Sequence, residues 1–140
     1  MVRITVLLLI SLFIPAFSQP EILIKDPWVR AVPPTMNMTA GYMVIENKGD
    51  QDDYLIGIES DISKMADLHV TVEENNVVKM KHIKKLKIPA RSKVELKPGG
   101  YHIMFMKLNK KLLPGKKARI ILIFEKSGKK VVEAEVKMSN

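Results

Sequence analysis

Two histidines and two methionines at fixed spacings are the residues of this chain best suited to chemistry. Ten residues separate His69 from Met80, twenty-one separate Met80 from His102, and Met104 follows His102 by two positions. Thioether sulfur is a soft, neutral donor that suits Cu(I), and imidazole is a borderline donor that copper accepts in either oxidation state. This donor set indicates a copper site assembled from three separate segments.

The absence of cysteine argues against several other kinds of metal or redox protein. Structural zinc sites use cysteine, histidine and carboxylate donors, and the chain has no CxxC or HExxH pattern. A blue-copper electron carrier needs a cysteine thiolate, and a thiol-disulfide oxidoreductase needs a reactive cysteine pair. The paired acids Asp52-Asp53 and Glu73-Glu74 lie in predicted turns without a partnered His or Ser. No acid-base or triad chemistry is indicated, and we predict that the protein is not an enzyme.

The segment around His102 predicts how one pair of donors is positioned. Alternation along a strand places His102, Met104 and Met106 on one face, with neighbours about 6.6 Å apart at Cα. The alternative is that these methionines fill the core of a strand that is buried on both faces. A prescribed His, Met, His, Met pattern is expected by chance in roughly two of ten thousand chains of this composition, which favours the metal site.

Four further residues compete for roles at or near this site. His82 would share a strand face with Met80 and is a candidate substitute ligand. Met36, Met38 and Met43 form a second methionine group, which either flanks the metal or packs in loop and core. The residue pattern leaves both alternatives open.

The spacing of the four donors resembles the signature of the PCuAC family of periplasmic copper chaperones. Other segments that resemble the family pattern are Asp26-Pro27-Trp28-Val29-Arg30, Gly41-Tyr42, Leu96-Lys97-Pro98-Gly99-Gly100-Tyr101 and Leu122-Ile123-Phe124-Glu125. The resemblance covers nearly all of the chain after residue 20. It implies a cupredoxin-like β-sandwich that binds Cu(I) through His69, Met80, His102 and Met104.

The resemblance also implies a function and a recipient. Members of the family deliver copper to respiratory cytochrome c oxidase, especially to its binuclear CuA centre, so the expected partner is oxidase subunit II or a thiol-bearing assembly factor. One complete ligand set predicts one tightly bound Cu(I) per chain. Two other functions stay open: a periplasmic copper-buffering or resistance protein with the same site, and a metal-free interaction β-sandwich in which the His and Met residues only pack.

The N-terminus predicts export. Met1-Val2-Arg3 and the apolar run from Ile4 to Phe17 have the composition of a signal peptide, with small residues before a cleavage site near Ser18/Gln19. The run is shorter than the roughly 20 residues that a spanning helix needs. We expect a signal peptide at residues 1–18, a periplasmic mature protein and no stable membrane span after cleavage.

Composition and turn residues predict one all-β domain over residues 19–140. The 140 residues are 46% hydrophobic and 27% charged, which is ordinary for one globular domain. Short apolar segments separated by turn residues predict an antiparallel β-sandwich. The predicted strands lie at 22–25, 28–32, 41–46, 54–59, 68–73, 77–83, 93–96, 101–107, 118–125 and 130–136. The connection from Ser60 to Asp67 could hold one helical turn, and Trp28 is predicted to be a core residue.

The charge of the chain bears on its partners. The formal net charge is +8 at pH 7, and the lysines are spread along the predicted strands. Such a charge can steer the protein toward an acidic partner or an anionic membrane surface. No nucleic-acid recognition motif is present, so nucleic acid is not an expected partner.

Overall fold

The computed structural model describes residues 1–2, 10–12 and 18–139. Most of the predicted signal peptide, residues 1–18, lies outside the described residues. Within the described part of the chain, no helix has both the length and the apolar character needed to cross a membrane.

The described residues form ten β-strands and no helix. The strands are β1 (Ile22–Arg30), β2 (Met38–Asn47), β3 (Asp53–Ser60), β4 (Ser63–Glu74), β5 (Val77–Ile83), β6 (Leu86–Ile88), β7 (Ser92–Leu96), β8 (Tyr101–Leu108), β9 (Lys117–Phe124) and β10 (Gly128–Lys137). Gly, Pro, Asn or Asp residues, which favour turns, lie in most of the connections between strands, and the connection from β5 to β6 consists of Lys84 and Lys85.

The strands pair in the order β5-β4-β8-β7-β2-β1-β10-β9-β3-β6, and β8 also pairs with β2. Most neighbours are antiparallel, but β1 pairs with β10 and β7 with β8 in parallel. One core cluster joins the two halves of the sheet, with Val29, Ile103 and Phe105 from one half and Ile120 and Leu122 from the other. The all-β sandwich expected from the sequence is confirmed.

Three local features differ from the predicted strands. β1 joins two predicted strands across an irregularity between Lys25 and Trp28, where Asp26 has a φ of 50°. β6 was not predicted, because three residues are too few to show an alternating pattern. The helical turn suggested for Ser60 to Asp67 is wrong, since β4 begins at Ser63 and pairs with β8 from its first residue.

A two-residue turn sets how β4 meets β5. Glu74 pairs with Val77, and the intervening Asn75 and Asn76 have φ values of 52° and 64°. Positive φ at both central residues is what a type I′ hairpin turn requires, and asparagine tolerates it better than most residues. The turn therefore fixes which residues of the two strands face each other.

The strand β8 lies between β4 and β2 along much of its length. Its core face carries Ile103 and Phe105, which are fully buried. A Cβ atom placed on Gly41 of β2 would lie 2.7 Å from the ring of Phe105. Only glycine lets the two strands approach in this way, so Gly41 has a packing role.

Trp28 is buried, as predicted, but it does not belong to the cluster that joins the two halves. It pairs across strands with Tyr42, and the two ring centroids are 4.7 Å apart. The adjacent Val29 points into the core, so alternation places Trp28 on the opposite, outer face of the sheet.

Candidate metal centre

Three neighbouring strands bring all three histidines of the chain into one row. His69 of β4 pairs directly with His82 of β5 on one side and with His102 of β8 on the other. The ring centroid of His69 lies 5.7 Å from that of His82 and 5.9 Å from that of His102. Directly paired residues project from the same face of a sheet. Because Ile103 points into the core, this is the outer face.

The two predicted methionine ligands lie on either side of the histidine row. Met80 pairs with Thr71, two positions after His69 on β4, and Met104 pairs with Asp67, two positions before it. A step of two residues keeps a side chain on the same face. The structure therefore brings all four sequence-predicted residues to one face of three adjacent strands, with His69 and His102 side by side at the centre.

The environment of His102 is what a metal ligand requires. Its side chain is buried, with only 3% of the residue exposed, and its Nδ1 lies 3.0 Å from the carbonyl oxygen of Gly100. A carbonyl only accepts hydrogen bonds, so Nδ1 carries the proton and Nε2 keeps a free lone pair. Nε2 is buried and has no hydrogen-bond partner in the described structure. Such an orphaned polar atom is costly, and a ligating histidine held by a backbone carbonyl has this arrangement.

The turn before β8 holds that carbonyl in place. The N–H of Gly100 donates to the carbonyl of Lys97 at 3.0 Å, and Gly99 between them has a φ of 83°, where glycine is favoured. The Gly100 carbonyl also accepts a hydrogen bond from the N–H of Thr71 at 3.2 Å. The orientation of the His102 imidazole is therefore set by a turn that is itself tied to β4.

The electrostatics of His69 favour its neutral form. Burial lowers the pKa of His69 below its ordinary value, and the adjacent imidazoles of His102 and His82 lower it further, while Asp67 opposes them. Metals bind the unprotonated imidazole. The lowered pKa of His69 thus favours the form of the imidazole that metals bind.

The third histidine of the row has a different environment. About half of the His82 side chain is exposed, and its Nε2 lies 3.8 Å from a carboxylate oxygen of Asp67. That separation is too long for a hydrogen bond. His82 is as close to His69 as His102 is, but no hydrogen bond of the described structure fixes its ring.

The two methionines predicted as ligands also differ in exposure. Met104 is half-buried on β8, whereas Met80 is 56% exposed on β5, one of the two edge strands of the sheet. Because Met80 is exposed, its side chain has room to adopt other rotamers on this face. The site is therefore more exposed to solvent on its β5 side than on its β8 side.

The three methionines grouped together in the sequence separate in the structure. Met43 is buried in the core, Met36 lies exposed in the loop before β2, and Met38 projects from the outer face opposite Met106. Only Met38 shares a face with the predicted ligands.

Two features of the site were missed by sequence reasoning. Asp67 precedes His69 by two residues, so alternation along the strand would have placed it on the same face. The Gly99-Gly100 pair before His102 signalled a turn but not its contact with the imidazole. No three His, Cys, Asp or Glu side chains of the described residues are arranged to hold a metal ion. A metal site on this face therefore depends on the thioethers.

Sequence comparison identifies the family. Residues 22–136 match the family described as "Putative lipoprotein LpqE-like". The chain belongs to the LpqE-like family. It is 32% identical over 124 residues to "Putative lipoprotein Lxx21020" of Leifsonia xyli subsp. xyli, covering 88% of this chain and 74% of the relative. It is 28% identical over 122 residues to "Uncharacterized protein RP573" of Rickettsia prowazekii, covering 82% and 66%.

Solved structures similar to this LpqE-like chain include copper-bound proteins. The copper-bound PCuAC domain from PmoF2 matches with a TM-score of 0.71 and 28% identity, over 83% of this chain and 92% of that domain. The solution structure of CuI-DR1885 from Deinococcus radiodurans matches with a TM-score of 0.69 and 33% identity, over 88% and 82%. The resemblance to PCuAC proteins indicated by the sequence motifs is confirmed.

Proposed function

We propose that this chain is an exported copper metallochaperone that binds one Cu(I) through His69, Met80, His102 and Met104. The observation that carries the proposal is the buried, unpartnered Nε2 of His102. It lies in the row with His69 and on the face that Met104 shares. The similarity to a copper-bound PCuAC domain and to CuI-DR1885 supports the choice of metal.

The donor set selects the oxidation state. Two neutral imidazoles and two neutral thioethers leave the bound Cu(I) with its charge of +1 and supply no anionic ligand to stabilise Cu(II). The site therefore favours the reduced ion and is unsuited to cycling between oxidation states. A carrier that holds Cu(I) fits this chemistry better than an electron carrier or an enzyme.

The open side of the site suits release of the ion. An acceptor that approaches across β5 meets Met80 first, because this residue is exposed on the edge strand. Replacement of the Met80 thioether by a stronger donor of the acceptor begins a transfer by ligand exchange. The bond from copper to the anchored His102 is then the last to break.

We further propose that the recipient is cytochrome c oxidase subunit II, at its CuA centre, or a thiol-bearing oxidase assembly factor in the periplasm. Thiolates bind soft Cu(I) more strongly than thioethers do, so the ion moves toward the acceptor. Without Arg3 of the signal peptide the formal net charge is +7, from 22 basic and 15 acidic residues. This charge favours encounter with an acidic acceptor surface, and added salt weakens the attraction.

Competition with a Cu(I) chelator tests the binding site. The mature protein is expected to retain one tight equivalent, and the fourfold alanine variant of His69, Met80, His102 and Met104 is expected to retain none. His82→Ala is the matched control, because it removes a histidine from the same row and should leave the tight equivalent in place. Two equally tight equivalents, or an unchanged fourfold variant, would contradict the proposal.

Transfer to an acceptor tests the delivery role. Cu(I)-loaded protein is mixed with the soluble domain of oxidase subunit II or with an assembly factor, and copper is measured on each after separation. We expect copper on the acceptor and less transfer at high salt. If copper stays on this chain and deletion of the gene reduces only copper tolerance, a buffering role replaces delivery. If the chain binds no copper, a metal-free interaction role replaces both.

A further inference from the structure

A row of three methionines lies on the outer face beside the proposed copper site. Met106 of β8 pairs directly with Met65 of β4 on one side and with Met38 of β2 on the other. Directly paired residues project from one face, so three thioethers stand side by side on three adjacent strands. None of them belongs to the ligand set proposed above.

Packing in the core does not account for this row. Met38 and Met65 are each 44% exposed, Met106 is half-buried, and none of the three belongs to the core cluster. The residues that follow Met65 and Met38 on their strands, Ala66 and Thr39, are more buried than the methionines themselves. The sheet therefore presents the three side chains outward, with Met38 and Met65 exposed and Met106 half-buried between them.

We propose that Met38, Met65 and Met106 form a second metal site, which takes a soft monovalent ion, Cu(I) or Ag(I), through three thioethers. Directly opposed residues have Cβ atoms about 4.5–5.5 Å apart. Methionine has three rotatable side-chain bonds and adapts to irregular spaces, so the outer sulfurs can turn toward the central one. Three neutral thioethers bind soft ions and offer little to Zn²⁺, Mg²⁺ or Ca²⁺.

The second site continues the first along one strand. His102, Met104 and Met106 follow one another on the outer face of β8 in steps of about 6.6 Å. An ion on the methionine row is therefore one step from Met104. The two ligand sets share no residue, so the inference goes beyond the proposed function and does not require it.

The second site is weaker than the first. It has three donors instead of four and no imidazole, and each exposed methionine loses rotamer freedom when it coordinates. We expect its affinity for Cu(I) to be at least about tenfold lower than that of the His and Met site. A weak site beside a tight one would fill mainly after the first equivalent of ion has bound.

Nuclear magnetic resonance of the methionine methyl groups tests the second site. Mature protein labelled with ¹³C at the methionine methyls is titrated with Ag(I), which has the same soft character and does not change oxidation state. After the first equivalent, the signals of Met38, Met65 and Met106 should shift together, and that of Met138 should not. Met138 is a suitable internal control because it is 69% exposed and lies outside the row. A shift of Met138 in parallel with the row would mean unspecific binding and would overturn the proposal.

Substitution of the row provides the second measurement. The Met38→Leu, Met65→Leu and Met106→Leu triple variant keeps side-chain size and should fold like the wild type. It should lose the weak equivalent and keep the tight one, while Met138→Leu should keep both. Retention of the weak equivalent in the triple variant overturns this inference. Absence of the tight equivalent in the wild type overturns the proposed function instead, so the two failures are distinguishable.

Discussion

His102 and His82 lie on opposite sides of His69 at nearly equal distances, yet their surroundings differ. The ring of His102 is buried, its Nδ1 donates to the Gly100 carbonyl, and its Nε2 has no partner in the described structure. The ring of His82 is half-exposed, meets the ring of His69 edge-on, and has its Nε2 3.8 Å from a carboxylate oxygen of Asp67. Distance alone does not separate the two histidines as ligands. The fixed orientation and the buried free lone pair of His102 do.

Substitution of His102 should reduce Cu(I) affinity more than any other single change. Substitutions of residues that only orient a metal ligand commonly reduce metal affinity by 10–100-fold, so His102→Ala should reduce Cu(I) affinity by about 100-fold or more. His82→Ala should change it little. Chelator competition on both variants, with thermal unfolding to establish that each is folded, measures the difference. Equal losses would mean that the Met80 strand presents His82 to the metal and that our ligand assignment is wrong.

Substitutions of Met80 and Met104 should also differ in their effect on Cu(I) affinity, but by less than those of His82 and His102. Exposed Met80 loses rotamer freedom on binding, which costs about 1.5–2 kcal/mol, while half-buried Met104 has already lost part of it. Met104→Leu should therefore reduce Cu(I) affinity about tenfold more than Met80→Leu does. The same chelator competition measures both. A larger loss for Met80→Leu would show that the edge strand, not β8, anchors the ion.

The turn that orients His102 should affect binding without touching the ion. Gly99→Ala places a Cβ at a φ of 83°, which we expect to cost about 1 kcal/mol and to displace the Gly100 carbonyl. Cu(I) affinity should fall by about tenfold. Gly128→Ala is the matched control, because Gly128 also has a positive φ and open space around it but lies at the start of β10. If both variants lose equal stability and equal affinity, the turn does not position His102.

Substitution of the buried Asp53, whose carboxylate accepts several hydrogen bonds, should have the smallest effect on Cu(I) affinity. Asp53 accepts hydrogen bonds from the hydroxyl and N–H of Ser127 and from the N–H groups of Lys126 and Tyr54. Burial raises the pKa of Asp53, but these hydrogen bonds outweigh it and the pKa is lowered overall. Asp53→Asn should reduce the free energy of unfolding by about 1–3 kcal/mol and leave Cu(I) affinity unchanged.

The pH dependence of that variant checks the cause. A lowered folded-state pKa gives stability that is fully present above the unfolded-state pKa and is lost as the pH falls through the folded-state pKa. The stability difference between wild type and Asp53→Asn should therefore be largest near neutral pH and shrink in acid. Urea unfolding at several pH values measures it. A difference that stays constant into acid would show that the charge of Asp53 is not what stabilises the fold.

The features that could be predicted from the sequence are those that depend on local alternation and turn chemistry. Alternation along a strand predicts that His102, Met104 and Met106 share one face. The turn residues predict the hairpin at Asn75. Trp28 could not be assigned to a face, because the irregularity at Asp26 shifts the alternation of β1.

Features that depend on which strands pair were not accessible from one sequence. The row of His82, His69 and His102 exists because β4 lies between β5 and β8. The methionine row exists because β2 pairs with β8, and Met38 and Met106 are distant in the chain. Alternation places a residue on a face, but only the long-range pairing says which residues meet there.

Gly41 also decides between alternative folded arrangements. Sliding β2 by two residues along β8 would keep every apolar side chain on its own face, so the hydrophobic pattern alone would tolerate the error. The slide would place Thr39 or Met43 where Gly41 now lies, and a side chain there would clash with the fully buried ring of Phe105. The shifted pairing is therefore destabilised, because only glycine fits at this position. The observed register of β2 and β8, which places Met38 opposite Met106, is favoured.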